Sequence, residues 1–260
     1  MIATLFAALR SFLYVLFLIV TVIPWGIAVQ LIGLVARGNP VYWACANWLH
    51  VSILGARYIC GVKWRIQGME NLPKNEQGEY VGAVLLSKHQ STWEALAYPA
   101  LMPNPLAYVF KRELLYIPFF GWSMARMDMI HINRAKRSEA WRQVAAQGKR
   151  LAEQGHWIIM FPEGTRVARG AKGEYKTGGT RLAIGSGVPV VPIAATAARC
   201  WPRKSFLLRP GVVDISIGKP IPSVGREPGE LMSEVEAWIE AEMRRLDPDA
   251  YPPALAAARP

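Results

Sequence analysis

Between Arg10 and Arg37 the chain runs for 26 residues, Ser11 to Ala36, without a formal charge. The stretch reads SFLYVLFLIVTVIPWGIAVQLIGLVA. About twenty consecutive apolar residues cross the hydrocarbon core of a bilayer, so this segment is long enough for a membrane. It is too long for the apolar region of a cleaved signal peptide, and no small-residue cleavage site follows it. Pro24 falls near its middle, followed by Trp25 and Gly26. A proline there removes a backbone hydrogen bond and kinks or breaks a helix. Two arrangements follow: one kinked span, or two short apolar helices lying in one leaflet as a hairpin. The alternative is a buried core helix, which rarely runs this long without charge. Tyr42, Trp43, Trp48 and Tyr58 come next, with Arg57 and Lys63 among them. Aromatic and basic residues together suit a membrane interface, and equally an amphipathic core helix.

Charge sharpens this. Lys and Arg number 30 against 19 Asp and Glu, a net +11, and the first acidic residue is Glu70. The 52% hydrophobic content excludes intrinsic disorder. Three cysteines (Cys45, Cys60, Cys200) without a CxxC spacing exclude a disulfide scaffold and read as reduced thiols of a cytoplasm-facing protein. The excess positive charge points to an anionic partner. Nucleic acid is disfavoured, because the basic residues are interleaved with apolar strands rather than gathered on one polar helix or stripe.

From about residue 60 the pattern becomes α/β. Tyr80–Leu86 (YVGAVLL), Trp157–Phe161 (WIIMF) and Val188–Ala194 (VPVVPIA) have the length and composition of buried strands, Ala107–Phe110 is a possible strand, and Val212–Gly218 alternates. Between them lie helix signals. Ser138 is placed to cap a helix running to Gln154 and stopping at Gly155. Thr180–Ile184 reads as a short helix before Gly185. Leu231, Val235, Trp238, Ile239, Met243 and Leu246 keep helical spacing, with Arg244 and Arg245 at the favourable end of the macrodipole. The expected fold is a layered α/β domain whose central, mostly parallel or mixed sheet is flanked by helices, preceded by an apolar membrane-associating helical segment. The expected division is residues 1–60 for that segment, 61–247 for the domain, and 248–260 for a Pro- and Ala-rich frayed tail.

Three constellations carry chemistry. The first is His89-Gln90-Ser91-Thr92-Trp93-Glu94, directly after YVGAVLL. A histidine in a strand-to-helix loop suits a proton acceptor near neutrality. On a continuous helix His89 and Glu94 would lie about 140° apart, so they touch only with His89 in the loop and Glu94 in the first turn. Ser91 as N-cap supports that placement, but Ser91-x-x-Glu94 is also a plain capping box. The spacing is wrong for a helical metal pair, and no metal is expected. The second constellation is Phe161-Pro162-Glu163-Gly164-Thr165-Arg166, a turn at the carboxyl end of a strand, where open α/β sheets place their ligands. It is either an ordinary polar turn or one that aims Arg166 and backbone N–H groups at an anion. The third is the set Lys111, Arg134 and Arg166, each after an apolar strand-like run, which together would make a phosphate-sized pocket. Gly121-Trp122-Ser123-Met124-Ala125 is not a nucleophile elbow, since the final glycine is missing. KTGGTRLAIGSG does not spell a nucleotide fingerprint. Cys45 and Cys60 read as packing residues.

HQSTWE, KRELLYIPFFGW with MIHINR, FPEGTR and VPVVPIA, in that order, resemble the four motif blocks of the glycerolipid acyltransferases over roughly residues 60 to 220. The resemblance implies His89 as general base and Glu94, where the family has aspartate, as the acid that orients it. It implies acceptor binding by Glu163, Gly164, Thr165 and Arg166, phosphate binding by Lys111 and Arg134, and an acyl-donor side around Pro189 and Pro192. Asp128 stands where the family usually has glycine. The implied reaction moves an acyl group from acyl-CoA or an acyl carrier protein, as co-substrate, to the sn-2 hydroxyl of lysophosphatidate, giving phosphatidate. No side-chain nucleophile is well placed, so direct transfer is expected, with no cofactor and no metal. The implied setting is the cytoplasmic face of the inner membrane. Glycerol 3-phosphate or another lyso-lipid as acceptor remains open, as does a non-catalytic module that binds anionic lipid. Arg10, Arg37, Arg57 and Lys63 flank apolar segments and suit headgroups. Arg199, Arg203, Lys204 and Arg209, interleaved with Trp201 and Phe206, suit the bilayer or the phosphates of CoA.

Overall fold

The computed structural model describes residues 2–117, 120–132 and 137–251. The uncharged stretch lies inside one continuous helix, α1 (Ile2–Val35), which runs through Pro24. The chain then reverses at Gly38, whose φ of 68° is in the left-handed region open to glycine, into α2 (Asn39–Cys60). A helical hairpin forms, but its turn is at Gly38 and not at Pro24. The two helices close tightly because residue 55 is glycine: a Cβ there would stand 2.4 Å from the Phe17 ring. Trp25 Nε1 donates to the Ala44 carbonyl (2.7 Å) and Trp48 Nε1 to Thr21 Oγ1 (3.2 Å).

α1 buries one stripe, Ala7, Ser11, Tyr14, Gly26, Val29 and Gly33, at helical spacing. The stripe meets the α/β domain at both ends. Ser11 Oγ accepts the Leu208 N–H (2.8 Å) and Tyr14 packs edge-on against Trp201. Near the other end Gln30 bonds Ser123 Oγ (2.9 Å) and Arg126. The rest of the helix surface, including Leu5, Phe12, Leu16, Ile19, Ile23 and Leu31, is exposed and apolar.

The described residues form a seven-stranded sheet: β1 (Val62–Gln67), β2 (Ala83–Ser87), β3 (Leu106–Lys111), β4 (Ile130–Ile132), β5 (Trp157–Met160), β6 (Val190–Ala195) and β7 (Gly211–Ile217). Their spatial order is β1-β7-β6-β2-β5-β3-β4. All neighbours are parallel except β6 and β7, so the sheet is mixed. β2 and β6 are buried at every position, as parallel strands covered on both faces must be. Pro192 sits in the break between the Val190–Ile221 bridge and the Ile193–Ile217 pair.

Alternation along the strands divides the core. Leu85, Ile159, Val191 and Ile193 face α2 and α3 (Thr92–Leu101). Val84, Leu86, Ile158 and Val190 face α5 (Arg137–Glu153), α6 (Gly178–Ser186) and α7 (Pro228–Leu246). A short helix, α4 (Phe120–Met124), precedes β4. α6 comes close to β2 because a Cβ on Gly179 would meet Leu86 Cδ2 at 2.4 Å.

Several boundaries differ from the sequence reading. Ser138 lies inside α5 rather than capping it. α6 starts earlier, runs through Gly185 and ends at Gly187, whose φ is 68°. β7 is buried along its second half rather than alternating. The segment after Pro248 is not frayed as far as Tyr251, which is buried and meets Gln90. Residues 252–260 lie outside the described residues.

Candidate active site

β2, β3 and β5 are parallel and end at one edge of the sheet. β2 stops at Ser87, and the chain passes through Lys88, His89 and Gln90 into α3. Ser91 is the N-cap: its backbone is extended (φ −141°) and its Oγ accepts the Trp93 N–H at 3.1 Å. The cap fixes Glu94 in the first turn with His89 outside the helix. His89 Nδ1 lies 2.7 Å from Glu94 Oε2. Glu94 also accepts the Gln90 N–H at 3.0 Å on both oxygens. The capping role and the histidine-orienting role are therefore one arrangement, not rivals. Burial pushes the Glu94 carboxyl above its usual range, while His89 and the N–H groups of Gln90 and Ser91 pull it back. With Nδ1–H donated to a carboxylate, the lone pair of a neutral imidazole lies on Nε2. Phe161 stacks on the His89 ring with centroids 3.8 Å apart, which leaves the side chain 16% exposed.

After β5, Gly164 adopts φ 66° and its N–H closes the turn on the Phe161 carbonyl at 2.9 Å. Thr165 and Arg166 are exposed on this turn. Arg166 Nη1 donates to Thr92 Oγ1 beside His89, and the Arg166 carbonyl accepts from Arg203 Nη1 at 2.7 Å. Glu163 behaves differently. Its side chain is fully buried, its Oε1 accepts the His89 N–H (3.4 Å) and lies 3.6 Å from Lys88 Nζ. The carboxylate that the resemblance gives to acceptor binding is thus held under the His89 loop. Lys111 is the last residue of β3, at the same sheet edge. Arg134 lies outside the described residues.

A cleft of about 730 Å³ opens here, lined by His89, Tyr108, Phe110, Leu114, Trp141, Phe161, Gly164 and Lys176 among others. Its wall is mostly apolar, as an acyl chain requires, with an imidazole and an ammonium set into it. The hydroxyls nearest His89 are engaged elsewhere: Ser87 with Tyr98 (2.5 Å), Ser91 in the cap, Thr92 with Arg166. Cys200 is buried, which pushes its thiol up to about 11.

Sequence reasoning missed Lys88, Lys176, Tyr175 and Glu240. Lys176 sits in the KTGGT stretch, just before the short helix read at Thr180–Ile184, where nothing marks it as facing a cleft. Glu240 directly follows the core residue Ile239, and an acid there signals a buried partner. Nothing local says that the partner is Lys88.

An acyltransferase family model matches residues 63–196. The chain is 36% identical over 245 residues to a 1-acyl-sn-glycerol-3-phosphate acyltransferase of Pseudomonas aeruginosa, covering 93% of each. It is 26% identical over 184 residues to the human 1-acyl-sn-glycerol-3-phosphate acyltransferase alpha, covering 70% of this chain and 63% of that one. The fold is similar to the crystal structure of the 1-acyl-sn-glycerophosphate acyltransferase from Thermotoga maritima, with a TM-score of 0.74 at 23% identity over 94% of this chain and 96% of the other.

Proposed function

The chain belongs to the acyltransferase family and is an O-acyltransferase; from that premise we propose that it acylates the sn-2 hydroxyl of lysophosphatidate from acyl-CoA or an acyl carrier protein. The observation that carries the reading is the 2.7 Å pairing of His89 with a buried Glu94, on the wall of a mostly apolar cleft that Lys176 also lines. His89 Nε2 takes the proton of the acceptor hydroxyl. The oxygen attacks the thioester carbonyl, and Glu94 stabilises the imidazolium that forms. The tetrahedral intermediate collapses, the C–S bond breaks, and the thiolate leaves with the proton returned by His89. Phosphatidate and a free thiol result. Lys111, Arg134 and Arg166 hold the acceptor phosphate in this reading, and Lys176, which lines the cleft, adds a positive charge there. The engaged hydroxyls and the buried thiol favour direct transfer without an acyl-enzyme.

The lipid substrate is taken from a bilayer in which α1 lies along one leaflet. Supporting this, both ends of the packed stripe of α1 touch the α/β domain. A helix crossing the bilayer presents its ends to opposite aqueous sides, where a single domain does not reach both. Arg10 and Arg37 flank the apolar surface and meet headgroups on the cytoplasmic face.

The test is a purified-enzyme assay of lysophosphatidate, glycerol 3-phosphate and a zwitterionic lyso-lipid against acyl-CoA and acyl carrier protein donors. Lysophosphatidate should lead the zwitterionic lyso-lipid in kcat/KM by at least about tenfold, since a site built for a phosphate monoester loses its charge-assisted contacts with that headgroup. It should also lead glycerol 3-phosphate, which has the monoester but no acyl chain to fill the apolar cleft. A preference for glycerol 3-phosphate would overturn the assignment of the acceptor.

A further inference from the structure

We propose that Lys88 is a positioning residue which, through Glu163, holds the His89 loop in its working geometry. The proposal rests on the reading of His89 as the base. Lys88 directly precedes His89, yet its side chain turns to the opposite face of the sheet and is completely buried. There its Nζ lies 2.5 Å from Glu240 Oε1 on α7 and 3.6 Å from Glu163 Oε1. A lysine without solvent is tolerated only when paired. Here one ammonium faces two carboxylates, and the second has a task. Glu163 Oε1 accepts the His89 backbone N–H, one of the bonds that tie the loop to the segment after β5, beside the Val167 N–H donated to the His89 carbonyl at 2.8 Å. The other oxygen of Glu163 is buried without a hydrogen-bond partner among the described residues. Glu163 therefore depends on Lys88 for its charge, and an ionised acceptor binds an N–H more strongly than a neutral one. Glu240 competes for the same ammonium and is itself held by the Tyr175 hydroxyl, which donates at 2.9 Å.

The groups facing Glu163 are Lys88 and His89 from the loop, Glu94 and Tyr98 from α3, and Tyr175 from the segment before α6, with Glu240 of α7 beyond Lys88. Burial pushes Glu163 up to about 7, against the pull of Lys88 and the local N–H groups. Small changes in the surrounding charge thus shift its ionisation near neutral pH. Lys88 and Glu240 act on it with opposite signs.

The test is kcat and KM for lysophosphatidate against pH in the full-length protein, for wild type, Lys88→Met and Glu240→Gln. In Lys88→Met, kcat should fall about 10- to 100-fold with KM little changed, because a loosened base misplaces the proton transfer rather than the phosphate. The acid limb of kcat should move up by about one pH unit as Glu163 loses its cation. In Glu240→Gln the limb should move down, since Lys88 then serves Glu163 alone. A wild-type limb in Lys88→Met, or a loss that appears in KM, would overturn the proposal. Should Lys88→Met fail to fold, Glu163→Gln decides. Its limb should be the same with and without Glu240→Gln, and a limb still shifted by Glu240→Gln in that background overturns the proposal. His89→Ala in the same assay keeps the two ideas separable. Retained turnover there would remove the base, whereas a wild-type limb in Lys88→Met removes only the positioning role.

Discussion

Glu94 is longer by one methylene than the aspartate its position resembles, and the extra reach is used. One oxygen meets His89 while both receive the Gln90 N–H. Replacing it with glutamine keeps the size but removes the charge that stabilises an imidazolium. Glu94→Gln should lower kcat by about 10² to 10⁴, with folding intact by circular dichroism. Glu163 sets up a second expectation, in stability. Its folded pKa of about 7 stands above the ordinary 4.5. A raised value means that the folded state holds the proton more tightly, so the contribution of Glu163 is most favourable below pH 4.5 and is lost as pH rises through 7. Glu163→Gln does not titrate there. The difference in Tm between Glu163→Gln and wild type should therefore grow in favour of the variant from about pH 4.5 to 7 and then level off. A flat difference in a pH series of thermal melts would contradict the burial of an ionising carboxylate. The His89–Glu94 pair was legible in the sequence because five residues and one helix cap define it. Lys88–Glu240 was not, because 152 residues separate partners that share no local pattern.

Secondary-structure elements carry these side chains. Ser91 caps α3, and the cap sets both the helix start and the place of Glu94. Ser91→Ala should cost about 1 kcal/mol of stability in denaturant titrations. It should also lower kcat, because the first turn of α3 is then less fixed. Element types were readable from apolar runs and turn residues, and the strand-to-helix placement of His89 followed from Ser91. Ends were harder. Ser138 is a good capping residue by type, but α5 begins at Arg137. The hairpin at the N-terminus turns at Gly38, where the left-handed conformation is free, while the helix tolerates Pro24 with α2 packed beside it at Trp25. At the hairpin tertiary packing decided the boundary, and a single sequence does not display it.

On the scale of the whole molecule, the +11 charge and the exposed apolar face of α1 together support the proposed position at the headgroup layer of a membrane. Arg10, Arg37, Arg57 and Lys63 contribute roughly 1 kcal/mol each near anionic lipid, and salt screens that share. The apolar side chains of α1 are not screened. Washing membranes with 1 M salt should therefore leave the protein bound, whereas detergent should release it; release by salt alone would mean that α1 does not enter the leaflet. The location of the charge along the chain was readable from sequence, but the single packed stripe of α1 was not, since an apolar run has no polar face to mark which side meets protein. In the proposed reading this position offers the cleft beside His89 to a lipid acceptor. The decisive measurement is the rate of phosphatidate formation from lysophosphatidate by full-length His89→Ala in lipid, with its fold verified. A fall in kcat of about 10² to 10⁴ is expected for loss of a general base, whereas a variant that keeps a tenth or more of the wild-type rate would contradict proton removal by His89.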